Sequence, residues 1–371
     1  MRCVPIDNAS EDEGYGGAMS RSLSMAARKT QLLESVLLEV YTGRQHEVAA
    51  TLMGRGVRAF HRIAIGPLSF VSIDNVPVKA IAELRKVRGI LRLHADPVLR
   101  LNLMTPRVSR AMMPSGTGTE AVWKAAGMEI PFSEGHTGRE TRVCVIDTGT
   151  WVAHEAFKGT SLESVAVVPN VGAAVGDSSG HGTWVAAQVS SLPNLSPQGF
   201  ACRGMSEAEL VTVKALRTRF GVSRPSDVLK AVEIGLGYDP KIFSLSLGGP
   251  AEDSQDVDPL AKTMNWLTDQ GKLVCLAAGN DGQPKSINTP GIASKAITVG
   301  AVDMSGKLAS FSSRGPTIDG LVKPDVCFYG YELVGPTAFW SKMDATDARI
   351  GIRPRAPYGL LSGTSMSTPG V

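Results

Sequence analysis

Three stretches of this chain carry side chains whose types fit nucleophilic chemistry. Near the end, Leu361-Ser362-Gly363-Thr364-Ser365-Met366-Ser367-Thr368-Pro369 sets a serine among small residues. A proline follows four positions later, where a helix's first turn tolerates one, so Ser365 reads as a nucleophile held at a helix N-terminus. A serine hydroxyl is a poor nucleophile at neutral pH and needs a neighbouring base that a third group orients. Upstream, the apolar run Val143-Cys144-Val145-Ile146 ends in Asp147-Thr148-Gly149, which puts a carboxylate at the C-terminal end of a buried strand. Ser179-Gly180-His181-Gly182-Thr183 then opens the apolar run Trp184-Val185-Ala186-Ala187, which puts an imidazole at a helix start. Of the six histidines, His181 alone has this glycine-flanked setting, and His46, His61, His94, His136 and His154 read as structural.

The order Asp147, His181, Ser365 separates this arrangement from the chymotrypsin and α/β-hydrolase orders, and Gly363-Thr364-Ser365-Met366-Ser367 lacks the closing glycine of the G-x-S-x-G elbow. On these motifs the chain resembles the subtilisin-like serine protease family. Two further segments carry the resemblance. Ala277-Ala278-Gly279-Asn280-Asp281-Gly282 is similar to the family's oxyanion-hole segment, and Ser244-Leu245-Ser246-Leu247-Gly248-Gly249 to its substrate-binding strand. Together the five motifs span about 116–371.

The resemblance implies a serine endopeptidase with Ser365 as nucleophile, His181 as general base and Asp147 orienting the imidazole. Asn280, with the backbone N–H of Ser365, is the expected oxyanion donor. A peptide substrate is expected as an added strand between Ser246-Leu247-Gly248 and Gly221-Val222-Ser223, with Gly279 beside it and a large apolar side chain preferred before the scissile bond. The implied chemistry requires no cofactor. A structural calcium is a family feature, but the usual aspartate ligand is replaced by Ala156 in His154-Glu155-Ala156-Phe157, so that site lacks its support.

The elements needed to position these groups are legible as periodicity. From Arg142 onward, strand-like runs at 142–146, 210–215, 242–247, 272–277 and 296–302 alternate with helical patterns at 184–190, 226–235 and 259–270. Such alternation predicts an α/β fold, a parallel sheet with helices on both faces, with reactive groups at the C-terminal strand ends. Ahead of it, the pattern over 31–103 reads β-α-β-β-α-β: a strand at 36–41, a helix at 45–54, a hairpin around Gly66-Pro67, a helix with Val78, Ile81, Leu84 and Val87 in register, and a strand at 90–93. This is a small ferredoxin-like α+β unit. Placed before a subtilisin-like domain it is similar to the family's inhibitor-type propeptide. The expected division is a disordered leader over 1–29, the propeptide-like module over 30–104, a linker and processing region over 105–118 and a catalytic domain over 119–371. The tail at 97–104 is expected in the cleft as a pseudo-substrate. The module carries ten basic and six acidic residues, so it is more basic than the rest of the chain.

At 371 residues the chain is long enough for two cores, and a net charge of +3 gives no indication of a nucleic-acid partner. No apolar run approaches the roughly 18 residues of a membrane span. The expected partners are polypeptide substrates and the chain's own propeptide-like module. Five cysteines at scattered spacings, with no C-x-x-C pair, argue against a disulfide framework or zinc site; Cys144 and Cys275 read as buried free thiols. The first 29 residues contain no apolar core of the roughly 7–15 residues typical of a signal peptide. A Gly-, Pro- and aromatic-rich stretch over 331–357 reads as a surface insertion. Only six residues follow Ser365, where the family continues into a long helix. The chain is therefore expected to be a fragment or to be completed by another segment. The competing expectation is a catalytically silent fragment that binds its own module.

Overall fold

The computed structural model describes residues 4–5, 33–100, 116–167, 176–216, 221–338 and 358–371. In the N-terminal part, β1 (Leu33–Val40), α1 (Gln45–Gly54), β2 (Ala59–Ile65), β3 (Leu68–Pro77), α2 (Val78–Leu84) and β4 (Ile90–Ala95) build one antiparallel sheet in the order β4-β1-β3-β2. Alternation along β1 sends Val36, Leu38 and Val40 toward Val48 and Leu52 of α1 and Leu84 of α2, while Leu37 faces the other way. The backbone of Val4–Pro5 pairs with Leu93 and Arg92 at the sheet edge, so part of the expected leader is in fact a strand. The remainder of that leader, the tail at 101–104 and most of the linker lie outside the described residues.

The second part begins after β5 (Leu99–Arg100). Its strands are β6 (Arg142–Asp147), β7 (Leu162–Ala166), β8 (Glu209–Lys214), β10 (Ile242–Leu245), β11 (Leu273–Ala277), β12 (Ile297–Val302) and β13 (Val326–Tyr329), ordered β13-β12-β11-β10-β6-β8-β7 with every pairing parallel. Helix α3 (His181–Val189) precedes β8, α4 (Pro225–Leu236) joins β8 to β10, and α5 (Pro259–Asp269) joins β10 to β11. The apolar run of β6 is explained by burial on both faces. Val143 and Val145 pack with Trp184 and Val185 of α3, whereas Cys144 and Ile146 pack with Val228, Val232 and Met264 of α4 and α5. After β8 the chain crosses to the opposite side of β6, so the strand order reverses beside β6. A crevice opens at the C-terminal strand ends at such a point. Among the described residues no helix is long and apolar enough to cross a membrane.

The short strand β9 (Val222–Ser223) pairs antiparallel with β5, with Ser223 opposite Leu99 and Val222 opposite Arg100. One expectation changes: the 331–357 stretch does not begin as surface. Leu333–Pro336 (β14) is a buried strand, antiparallel to Tyr358–Leu361 (β15) and parallel to Thr117–Gly118, the end of the expected linker. Leu333 and Val334 supply the apolar burial. Gly335 is required because a Cβ there would stand 2.7 Å from Nε1 of Trp184. Residues 339–357 lie outside the described residues.

The outer face of the N-terminal sheet is covered by the second part. Leu37, Ile63, Ile65 and Phe70 are fully buried in the same core as Val228, Leu229, Leu260 and Met264 of α4 and α5. The hairpin turn at Gly66, with φ of +54°, abuts Trp266, whose Cζ2 would lie 2.1 Å from a Cβ at that position. Polar groups ring this apolar patch. His61 Nε2 lies 2.9 Å from Asp227 Oδ1, and Asp96 accepts from Ser226 N (2.9 Å) and Ser226 Oγ (2.6 Å) at the start of α4. Glu39 contacts His94 at 3.0 Å and Lys262 of α5, and Asp74 pairs with Arg224.

Candidate active site

Asp147 terminates β6 and is 2 % exposed. Its Oδ1 accepts from the backbone of Thr148 at 2.7 Å and lies 2.7 Å from Nδ1 of His181, while its Oδ2 has no hydrogen-bond partner. His181 is the first residue of α3 and is fully buried. The residue before it, Gly180, has φ of +90°, a left-handed turn that admits glycine readily and delivers the imidazole from the helix end toward β6. With Nδ1 committed to Asp147, Nε2 of His181 is buried and makes no hydrogen bond. That orientation leaves the far nitrogen as the one able to exchange a proton with a reactant.

Ser365 lies in the short helix α6 (Thr364–Ser367) that follows β15. Its Oγ donates to the carbonyl of Ser246 at 3.0 Å rather than to His181, and the Ser246 hydroxyl donates in return to the carbonyl of Ser365 at 2.9 Å. Ser246 stands just past β10, which ends at Leu245, two residues short of the predicted strand. By leaving the ladder, Ser246-Leu247-Gly248 presents its backbone to the crevice. Gly248 packs tightly, since a Cβ there would be 2.7 Å from the carbonyl oxygen of Thr289.

Asn280 follows β11, and its Oδ1 accepts from Thr364 N at 2.9 Å and Thr364 Oγ1 at 3.0 Å. This anchors the carboxamide against the residue before Ser365, and Nδ2 approaches to 3.3 Å from where a Cβ on Gly363 would stand. Gly279, at φ of +110°, could not carry a side chain, because its Cβ would meet Asn288 Nδ2 at 2.7 Å and Ser313 Oγ at 2.8 Å. Ser246, Leu247, Gly248, Gly279, Asn280 and Ser365 all border one small cavity of about 20 Å³. Gly221-Val222-Ser223 stands apart from that cavity and is occupied along its edge by Leu99–Arg100, with Leu99 Cδ2 approaching Gly249. Below that pair a larger cavity of about 260 Å³ is bounded by Pro97, Val98 and Leu99 on one side and by Pro250, Pro259 and Thr289 on the other.

Ala156 is buried with only a methyl group to offer, and its N–H donates to His154 Nδ1 at 3.0 Å. Among the described residues no group of three or more His, Cys, Asp or Glu is placed to hold a metal ion. Sequence reading missed Thr364, the partner of Asn280, and also Asp177. The Asp177 carboxylate, 5 % exposed, accepts from Thr148 Oγ1, Ser179 N, Gly180 N, Thr183 N and Thr183 Oγ1 at 2.7–3.0 Å. Asp177-Ser178-Ser179 just before a helix is a capping-type signal that could have drawn notice to it.

The subtilase family model (Peptidase_S8) matches residues 138–371. Serine protease AprX of Bacillus subtilis is 34% identical over 253 residues, covering 63% of this chain and 55% of its own length. Subtilisin E of Bacillus subtilis is 30% identical over 243 residues, covering 64% of this chain and 55% of its own length. Subtilisin-like protease SBT6.1 of Arabidopsis thaliana is 30% identical over 283 residues, covering 74% of this chain and 25% of its own length. The chain thus spans about half the length of the first two relatives. With the match running through Asp147, His181, Asn280 and Ser365, the chain belongs to the subtilase family.

Proposed function

We propose that the chain carries the catalytic site of a serine endopeptidase and that its N-terminal module holds the site in a precursor state. The observation that carries the proposal is the buried His181, tied at Nδ1 to Asp147 and unpartnered at Nε2, on a helix that packs against the short helix bearing Ser365. In the reaction, Ser365 Oγ exchanges its bond to Ser246 for one to His181 Nε2. As Oγ attacks the scissile carbonyl, its proton passes to Nε2, and the resulting imidazolium is stabilised by Asp147. The tetrahedral oxyanion is received by Asn280 Nδ2 and the backbone N–H of Ser365; loss of one such side-chain donor costs about 2.7–4 kcal/mol in transition-state energy. His181 returns the proton to the leaving amine, and water then hydrolyses the acyl-enzyme by the same route.

A substrate is gripped as a strand between Ser246-Leu247-Gly248 and Gly221-Val222-Ser223, so polypeptides are the expected substrates. The pairing of Leu99–Arg100 with Val222–Ser223 supports reading the module as a propeptide, because the module's own tail then stands where a substrate strand would stand. Self-cleavage is expected between about Leu101 and Met104, with the module remaining bound as inhibitor.

Labelling of the full-length protein with a fluorophosphonate tests the proposal. Wild type should be labelled once, at Ser365, and Ser365→Ala should lose both labelling and peptide hydrolysis. Hydrolysis at the normal rate by Ser365→Ala would sink the assignment. The second reading, a silent binding fragment, draws on the Ser365 hydroxyl turning to Ser246, and an unlabelled wild type would favour it. A serine-dependent new N-terminus within 102–118 supports the propeptide assignment. If maturation requires an added protease, that assignment fails while the catalytic one stands.

A further inference from the structure

We infer that Asp177 is a positioning residue for the reaction, acting on His181 and Asp147 through hydrogen bonds to both segments that present them. The inference rests on the catalytic assignment of the previous section.

The two reacting side chains come from different elements, and their 2.7 Å contact is only as well defined as the spacing between those elements. His181 sits on the first turn of α3; Asp147 sits at the end of β6. Asp177 spans this junction. Oδ1 accepts from Ser179 N at 3.0 Å and Gly180 N at 2.9 Å, fixing the turn that enters α3. The same oxygen accepts from Thr148 Oγ1 at 2.9 Å, and Thr148 directly follows Asp147. Oδ2 accepts from Thr183 N at 2.9 Å and Thr183 Oγ1 at 2.7 Å, two residues past His181. Thr148 completes the link, since its hydroxyl also accepts from Gly182 N at 2.8 Å. A single buried carboxylate therefore constrains residues 148, 179, 180 and 183, which bracket both Asp147 and His181.

The charge is suited to its place. A carboxylate side chain offers acceptors on both oxygens, which suits a site where all five contacts are donors. The N–H groups at the start of α3, which have no acceptor within the helix, favour a negative charge there. Lys214, buried at the end of β8, donates to the carbonyl of Gly176 and adds an opposite charge close by. An asparagine could not reproduce this set, because its amide would turn two hydrogens toward N–H or O–H donors on one side.

A cap that merely stabilised α3 would affect the amount of folded protein and nothing else. A positioning residue must also change the turnover of the molecules that are folded, because misplacement by about 1 Å costs up to about a hundredfold in rate. The test counts competent sites by fluorophosphonate titration and expresses kcat per titrated site. In Asp177→Asn, kcat should fall about tenfold or more while KM stays within about twofold. Thr148→Ala should lower kcat in the same way, with Thr148→Ser restoring it, since the hydroxyl is what joins the two segments. Should Asp177→Asn fail to fold, the Thr148 pair decides. A second readout needs no turnover. In Ser365→Ala protein with labelled histidine, the Nδ1–H resonance of His181 reports the bond to Asp147, and Asp177→Asn or Thr148→Ala should shift or broaden it. Unchanged kcat per site together with an unchanged resonance would overturn the inference. A wild type that cannot be titrated at all would overturn the protease assignment instead, leaving the resonance to judge Asp177.

Discussion

Docking of the N-terminal module should weaken as pH rises, and Asp96 gives the size of the effect. Its carboxyl is buried against Ser226 and Asp227, and burial pushes it from 3.8 to about 6 despite the two hydrogen bonds from Ser226 that favour the charged form. A group raised in the docked state favours docking fully below its free value, and that contribution is lost as pH climbs through the docked value. The whole shift corresponds to about 3 kcal/mol, and the part falling between about pH 5 and 7.5 to about 1.4 kcal/mol, a roughly tenfold weaker complex. The measurement uses Ser365→Ala protein, which lacks the proposed nucleophile, with a site for an added protease inserted within 105–115. After cutting, the dissociation constant is followed through the fluorescence of Trp266, which docking places against Gly66. Asp96→Asn keeps the acceptor for Ser226 N but cannot ionise. The quantity that matters is the difference between the two proteins. Wild type should lose about tenfold more affinity than Asp96→Asn over this interval. Equal losses in both would refute the reasoning.

Three further outcomes are expected. Burial alone would raise Glu39, but its bonds to His94 and Lys262 outweigh that and hold it at about 2; because Lys262 comes from across the boundary, docking should also weaken as pH falls below 4.5, and by less in Glu39→Gln in the same dissociation assay. Gly66→Ala places a methyl group 2.1 Å from Trp266 Cζ2 at a positive φ, and should weaken docking by about 1–3 kcal/mol without altering the far-ultraviolet dichroism. Burial pushes the Cys275 and Cys202 thiols up to about 11 and raises Cys144 further, so in native protein at pH 8 a short iodoacetamide pulse read by peptide mass spectrometry should find the exposed Cys327 modified before those three.

What could be read in advance depended on how local the cause was. Asp147, His181, Asn280 and Ser365 each sit where a strand or helix begins or ends, and glycine or small neighbours mark those junctions in the sequence itself. The parallel sheet was legible because runs such as Val143-Cys144-Val145-Ile146 are apolar on consecutive positions, a pattern that follows from burial on both faces. Leu333–Pro336 was not legible. Two apolar residues followed by Gly-Pro carry no period, and the strand exists because Tyr358–Leu361 and Thr117–Gly118 flank it. Asp177 was missed for a similar reason. An aspartate before a helix normally serves its own turn, and only the return of Thr148 from another element reveals the wider role. The outer face of the N-terminal sheet, with Leu37, Ile63, Ile65 and Phe70, looked like ordinary core until α4 and α5 were seen to cover it.

The distances along the chain that separate the reacting groups have a consequence for synthesis. Asp147 and His181 are 34 residues apart, whereas the contacts that seat Ser365 and Thr364 reach back 119 residues to Ser246 and 85 to Gly279. Long-range contacts of this kind form late, because loop closure must precede the packing that rewards it. On the ribosome, β6, α3 and the strands up to β12 emerge before the segment bearing the serine does. The acid–base pair can therefore stand complete in a nascent chain that has no nucleophile, and such a chain cannot attack its neighbours on the same messenger. By the time Ser365 leaves the exit tunnel, the module that covers α4 and α5 has long been available to fold, since domains near the N-terminus generally fold first. On the proposed role of the module, chemical competence is thereby scheduled after restraint.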